Sequence, residues 1–123
     1  MNMKIDIQLE PNVISCIAQG IYNYYQDLFV KNPNRTSFNK SLKQCEDEFK
    51  EEGFLWSAFK KVSNVYTDVD EHYHCQDTVF EIPNGIFVKV EENYISFYDD
   101  EDEDHEKIIT RVYPKEKTMI VYE

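Results

Sequence analysis

Thr78-Val79-Phe80-Glu81-Ile82-Pro83-Asn84-Gly85-Ile86-Phe87-Val88-Lys89-Val90 decides the fold. Its two flanks are rich in β-branched and aromatic residues, which favour extended backbone. Ile86, Val88 and Val90 alternate with Phe87, Lys89 and Glu91, the period of a strand with one buried face. Pro83-Asn84-Gly85 lies between the flanks, and Asn-Gly suits a turn that needs positive φ. The stretch therefore predicts a β-hairpin. Towards the C-terminus, Glu92-Asn93 reads as a tight connection into a strand over 94–98. An acidic block follows, then a strand over 107–113, a turn over 114–117 and a last strand over 118–122. Short strands with short connections predict an antiparallel meander.

Towards the N-terminus the period changes. Ile14, Ile17, Ile21, Tyr24/Tyr25 and Leu28 recur at three and four, which predicts a helix over about 12–31 with Asn12 as its cap. Gly20 inside it costs roughly 1 kcal/mol against Ala and suggests the close approach of another backbone or ring. Asn32-Pro33 ends that helix. Phe38, Leu42, Cys45 and Phe49 predict a second helix from near Ser37, with Gly53 as its C-terminal break. Phe54, Leu55, Ala58, Phe59 and Val62 extend the helical pattern to about Ser63, as a third helix or as one kinked helix. Met3, Ile5, Ile7 and Leu9 alternate with polar residues, a possible first strand over 3–9. The fold class expected is α+β: two to three N-terminal helices packed on a C-terminal antiparallel β-meander. One domain is expected across 1–123, helical over about 12–63 and β over about 77–122.

Composition narrows the function. Eighteen aromatic residues in 123, with 3 Gly and 4 Pro, oppose a disordered polymer despite a mean hydropathy of −0.63. No apolar run approaches the roughly 18 residues of a membrane span. The N-terminus lacks the basic start and apolar block of a signal peptide. Cys16, Cys45 and Cys75 form no Cys-x-x-Cys pair, which points to reduced thiols and a cytoplasmic setting. A net charge of −11 opposes direct nucleic-acid binding.

That charge is unevenly placed. Residues 1–66 hold eight Lys/Arg and eight Asp/Glu, whereas 67–123 hold sixteen Asp/Glu against five Lys/Arg, leaving the whole −11 in the second half. Asp99, Asp100, Glu101, Asp102, Glu103, Asp104 and Glu106 crowd around a single His105. Asp68, Asp70 and Glu71 form a second group, with Asp77 and Glu81 just after. Two readings stand side by side: a solvated loop that aids solubility, or a surface for a basic partner. In the second, Tyr94 and Tyr98 supply rigid aromatic anchors of the kind interfaces favour.

Other chemistries find less support. The acidic block has no Gly to turn a calcium loop and no Asp-x-Asp-x-Asp-Gly. His72 and His74 share a strand face, and Cys75 adjoins them, so a small metal-binding domain is one alternative. The plainer reading places them in a loop or strand edge. No Gly-x-Ser-x-Gly, phosphate-cradling loop or His-Glu-x-x-His occurs. The sequence predicts no catalytic residues, no cofactor and no metal.

In character, the chain resembles the small acidic inhibitors encoded by phages and mobile elements, notably anti-CRISPR proteins and other DNA mimics. The residues carrying the resemblance are Asp99–Asp104 with Glu106, plus Asp68, Asp70 and Glu71. It implies a non-enzymatic inhibitor whose carboxylates occupy a basic nucleic-acid-binding site, for example on a CRISPR-Cas nuclease. An immunity or antitoxin protein that caps a basic toxin would use the same physics.

Overall fold

The computed structural model describes residues 2–53, 58–68, 73–96 and 103–114. Its elements run β1 (Asn2–Gln8), α1 (Pro11–Lys31), α2 (Leu42–Glu52), β2 (Lys60–Asp68), β3 (Tyr73–Ile82), β4 (Ile86–Ser96) and β5 (Glu103–Val112), with short 3₁₀ turns at Thr36–Phe38 and Pro83–Gly85. The class is α+β. The five strands form one sheet in the order β1-β5-β4-β3-β2. It is a mixed sheet and not a pure antiparallel meander, because β1 lies parallel to β5 with Ile5↔Lys107 and Ile7↔Ile109 in register. The other pairings are antiparallel. Parallel neighbours need a long crossover, which α1, α2 and the three following strands supply.

Helix α1 begins one residue before its expected start. Glu10 occupies the N-cap in extended conformation and Pro11 takes the first helical position, so Asn12 is inside the helix and does not cap it. Pro suits that position because its missing N–H would have no partner there anyway. Val13, Ile17, Ala18 and Ile21 are buried along one stripe. Gly20 faces the Phe59 ring, whose Cζ would lie 2.6 Å from an added Cβ. The close approach that the glycine suggested is therefore made by a ring.

Helix α2 begins at Leu42, later than expected near Ser37, because a capping box sets its start. The Gln44 backbone N–H donates to Ser41 Oγ at 3.1 Å, and the Ser41 N–H donates to Gln44 Oε1 at 2.8 Å. These bonds satisfy donors that the first turn would otherwise leave unpaired. Cys45 and Phe49 are buried, but Leu42 is exposed and Phe38 stands outside the helix against Tyr25. Gly53 closes the helix in the left-handed region, at φ 61°.

The expected helix reaching Ser63 is absent among the described residues. Ala58 and Phe59 lie in a turn, and Lys60–Asp68 is strand β2. Val62, Val65, Tyr66 and Thr67 favour extended backbone, and pairing with β3 outweighs a short helical coincidence. The turn expected at Glu92-Asn93 is likewise a continuous part of β4. Both residues are held from two sides, Glu92 between Gln76 and Lys107 and Asn93 between Cys75 and Glu106. The hairpin at Asn84-Gly85 forms as read, with φ 73° and 69°. The last expected strand, 118–122, lies outside the described residues.

The core fills one face of the sheet. Phe80, Ile82, Ile86, Val88, Val90 and Ile109 meet Val13, Ile17, Ile21, Cys45 and Phe49 from the helices. No described helix is long and apolar enough to cross a membrane.

Candidate functional site

Strand register sorts the polar residues onto two faces, since alternate side chains point oppositely. On the helix side, Asp68, His74, Tyr94 and His105 form a row across β2, β3, β4 and β5, and Tyr66, Gln76, Glu92 and Lys107 form the next. Further along, Val90 and Ile109, then Val88, enter the apolar core. The polar rows border an open cleft of about 450 Å³.

The side chains of this cleft are heavily cross-linked. The Tyr94 hydroxyl donates to Glu92 Oε2 at 2.8 Å, and His105 Nε2 lies 3.2 Å from the same oxygen. The Tyr94 and His105 rings stack with centroids 4.1 Å apart. Lys107, 4% exposed, donates to the Glu52 carbonyl at 3.2 Å. Burial lowers its pKa from 10.5, against the opposing pull of Glu92 and Glu52. At the edge, His74 pairs with Asp68 and stacks on Tyr66. The Asp68 carboxyl is held below its ordinary range by the His74 hydrogen bond first and by Tyr66 second.

The opposite face carries no described helix and contributes nothing to the core cluster. Here Asp77 and Glu91 are direct cross-strand neighbours. Glu106 lies on β5, one row on, opposite Asn93. The Asn93 amide donates to both Glu91 Oε2 and Glu106 Oε1, each at 3.4 Å. Lys89 Nζ sits 3.8 Å from Glu91 Oε1. Like charges placed directly opposite across a sheet are destabilising, and the Asn93 amide and Lys89 act against that repulsion. Tyr73 shares this face and donates its hydroxyl to Asn93 Oδ1 at 3.2 Å.

The candidate residues divide accordingly. Glu106 lies on the uncovered face. Tyr94 lies on the helix side, engaged with Glu92 and His105, and Asp68 is on that same side at the edge. Glu103 and Asp104 occupy the first two positions of β5. Asp70, Glu71, Tyr98, Asp99, Asp100, Glu101 and Asp102 lie outside the described residues. The strand ends flanking 69–72 and 97–102 stand together, because Tyr73 pairs with Ile95 and Ile95 with Asp104. Two acidic stretches some thirty residues apart in sequence are thereby anchored at one end of the sheet. Asp77 enters the sequence reading only as trailing the second acidic group, and Glu91 and Tyr73 do not enter it as site residues. Placing a turn at Glu92-Asn93 hid the alternation that sets Glu91 and Asn93 on one face.

Among the described residues no three His, Cys, Asp or Glu side chains converge on a metal position. His74 and Cys75 point to opposite faces of β3, and His72 lies outside the described residues. The Cys75 thiol is pushed up by burial, then by Asp77 and Glu91, and Cys45 is pushed up by burial and Glu48. Neither environment favours a nucleophilic thiolate. No protein-family model, curated protein or solved structure matches this chain.

Proposed function

We propose that this protein is a non-enzymatic inhibitor that docks its uncovered acidic sheet face on a basic nucleic-acid-binding site. The target class is a nucleic-acid-handling protein such as a CRISPR-Cas nuclease, and the mechanism is competition with DNA or guide RNA. One observation carries the reading: Asp77, Glu91 and Glu106 sit on three adjacent strands of a face with no described helix over it. Neighbouring strands are about 4.8 Å apart, so the carboxylates form a dense anionic array. Maintaining it costs the fold stability, and a cationic partner offsets that cost.

The test uses purified RNA-guided nuclease and the full chain. Binding is expected to the DNA-free nuclease only, to weaken as salt rises, and to fall about tenfold or more in Asp77→Asn/Glu91→Gln/Glu106→Gln through slower association. The triple variant should melt no lower than the parent. Equal binding to the DNA-loaded nuclease, or undiminished binding by the triple variant, overturns the proposal.

A further inference from the structure

Strand β2 is anomalous within its own sheet. All nine of its residues are exposed, and its outer edge has no strand beside it among the described residues. Yet it carries Val62, Val65 and Tyr66 at 42%, 57% and 58% exposure, half of the large apolar side chains that stand exposed among the described residues. Val65 and Tyr66 are consecutive, so they point to opposite faces. A partner lying on either face would cover only one of them. A strand added alongside would touch both and would also satisfy the row of unpaired backbone N–H and C=O groups.

The edge is guarded at one end only. Lys60 and Lys61 precede a register shift between Lys61 and Ser63, and lysines and bulges are the usual means by which proteins blunt an edge. Residues 63–67 (Ser-Asn-Val-Tyr-Thr) carry neither a charge nor a bulge. We propose that this segment pairs with the same segment of a second copy of the chain, antiparallel and two-fold symmetric about Val65. In that register Asn64 of each copy faces Tyr66 of the other, and Ser63 faces Thr67. Asp68 of each copy falls across from Val62 of the other, one residue from Lys61, so the basic end of one strand meets the acidic end of its mate. A parallel arrangement would instead set lysine against lysine. The antiparallel one also sends the two acidic sheet ends in opposite directions, keeping two bodies of charge −11 apart. Five paired residues bury less than the roughly 1,200 Å² of a standard interface, so the dimer is reversible.

The test is sedimentation velocity on the full chain over about a hundredfold range of concentration. The weight-average mass should climb from 14.7 kDa towards twice that and no further. Val65→Lys, which brings two ammonium groups together on the symmetry axis, should remain monomeric throughout with an unchanged far-ultraviolet spectrum. Val65→Cys should form, under mild oxidation, a covalent dimer whose bridging peptide maps to position 65 in both chains. A native chain that stays monomeric at every concentration, a dimer that survives Val65→Lys, growth beyond two copies, or a native dimer whose Val65→Cys form bridges elsewhere each overturns the inference. Val65 is the cross-strand neighbour of Asp77, but each of these outcomes is read on the chain alone, with no nuclease present, so the two tests fail separately.

Discussion

The two edges of this sheet are built on opposite terms. At one, β1 runs parallel to β5 and its residues alternate, with Ile5 and Ile7 packed against the core while Lys4, Asp6 and Gln8 are exposed. At the other, β2 buries none of its nine residues. Backbone pairing alone leaves a two-stranded ribbon marginal in water. Burial of an apolar face holds β1 in place, whereas β2 depends on β3, on local side-chain pairs and on whatever lies beyond its free edge. Asn64 Nδ2 to Thr78 Oγ1 at 3.2 Å and the Tyr66–His74 stack are such local pairs.

The largest expected effect separates the two edges directly. Ile7→Ala should destabilise the fold by about 2 kcal/mol in urea denaturation, the usual scale for a truncated core aliphatic that is partly buried. Val65→Ala should change it by less than about 0.5 kcal/mol, as for an exposed site. Comparable losses at both positions would end the contrast.

A smaller effect probes the point where the β2 hairpin is tied to a helix. Gly20→Ala gains up to about 1 kcal/mol of helix propensity but drives a methyl into the Phe59 ring, and overpacking of this kind costs about 1–3 kcal/mol. The net expectation is a loss of about 1 kcal/mol. In a Phe59→Ala background the same change should become neutral or stabilising, as a double-mutant cycle would show. A Gly20→Ala protein as stable as the parent would mean that the ring yields at no cost.

The smallest effect lies at the edge itself. Asp68 is exposed, and its carboxyl is held below the ordinary aspartate range by His74 first and Tyr66 second. A lowered folded pKa contributes stability above the unfolded pKa, and that contribution is lost as pH falls through the folded value. Carboxyl NMR should therefore show Asp68 ionising below the ordinary aspartate range, and His74→Phe should return it towards that range. No change on removing His74 would show that the pair does nothing for the β2–β3 hairpin.

The same contrast explains what could be read in advance. Ile5 and Ile7 alternate, Ile14, Ile17 and Ile21 recur at helical spacing, and Asn84-Gly85 demands positive φ. In each case burial or backbone sterics impose a pattern on the residues. β2 has no buried face, so nothing forced its apolar residues into period two, and Ala58, Phe59 and Val62 passed for a helical stripe. Glu92 and Asn93 resemble a turn because polar residues usually lie in loops. Here they complete the polar end of a sheet, and the neighbours on β3 and β5 that hold them straight are separated from them in sequence. The acidic block was visible as composition, but its division between faces belongs to register, which no single strand encodes.

The pairing of the first strand with the last described one also bears on how the chain reaches its native state. Ile7 finds Ile109 across about a hundred intervening residues, and closing so long a loop carries an entropic cost that local hairpins avoid. The β3–β4 and β4–β5 hairpins can form early, while β1 waits for β5, about a hundred residues further along the chain. High contact order of this kind slows folding, so docking of β1 is the natural candidate for the late, rate-limiting event.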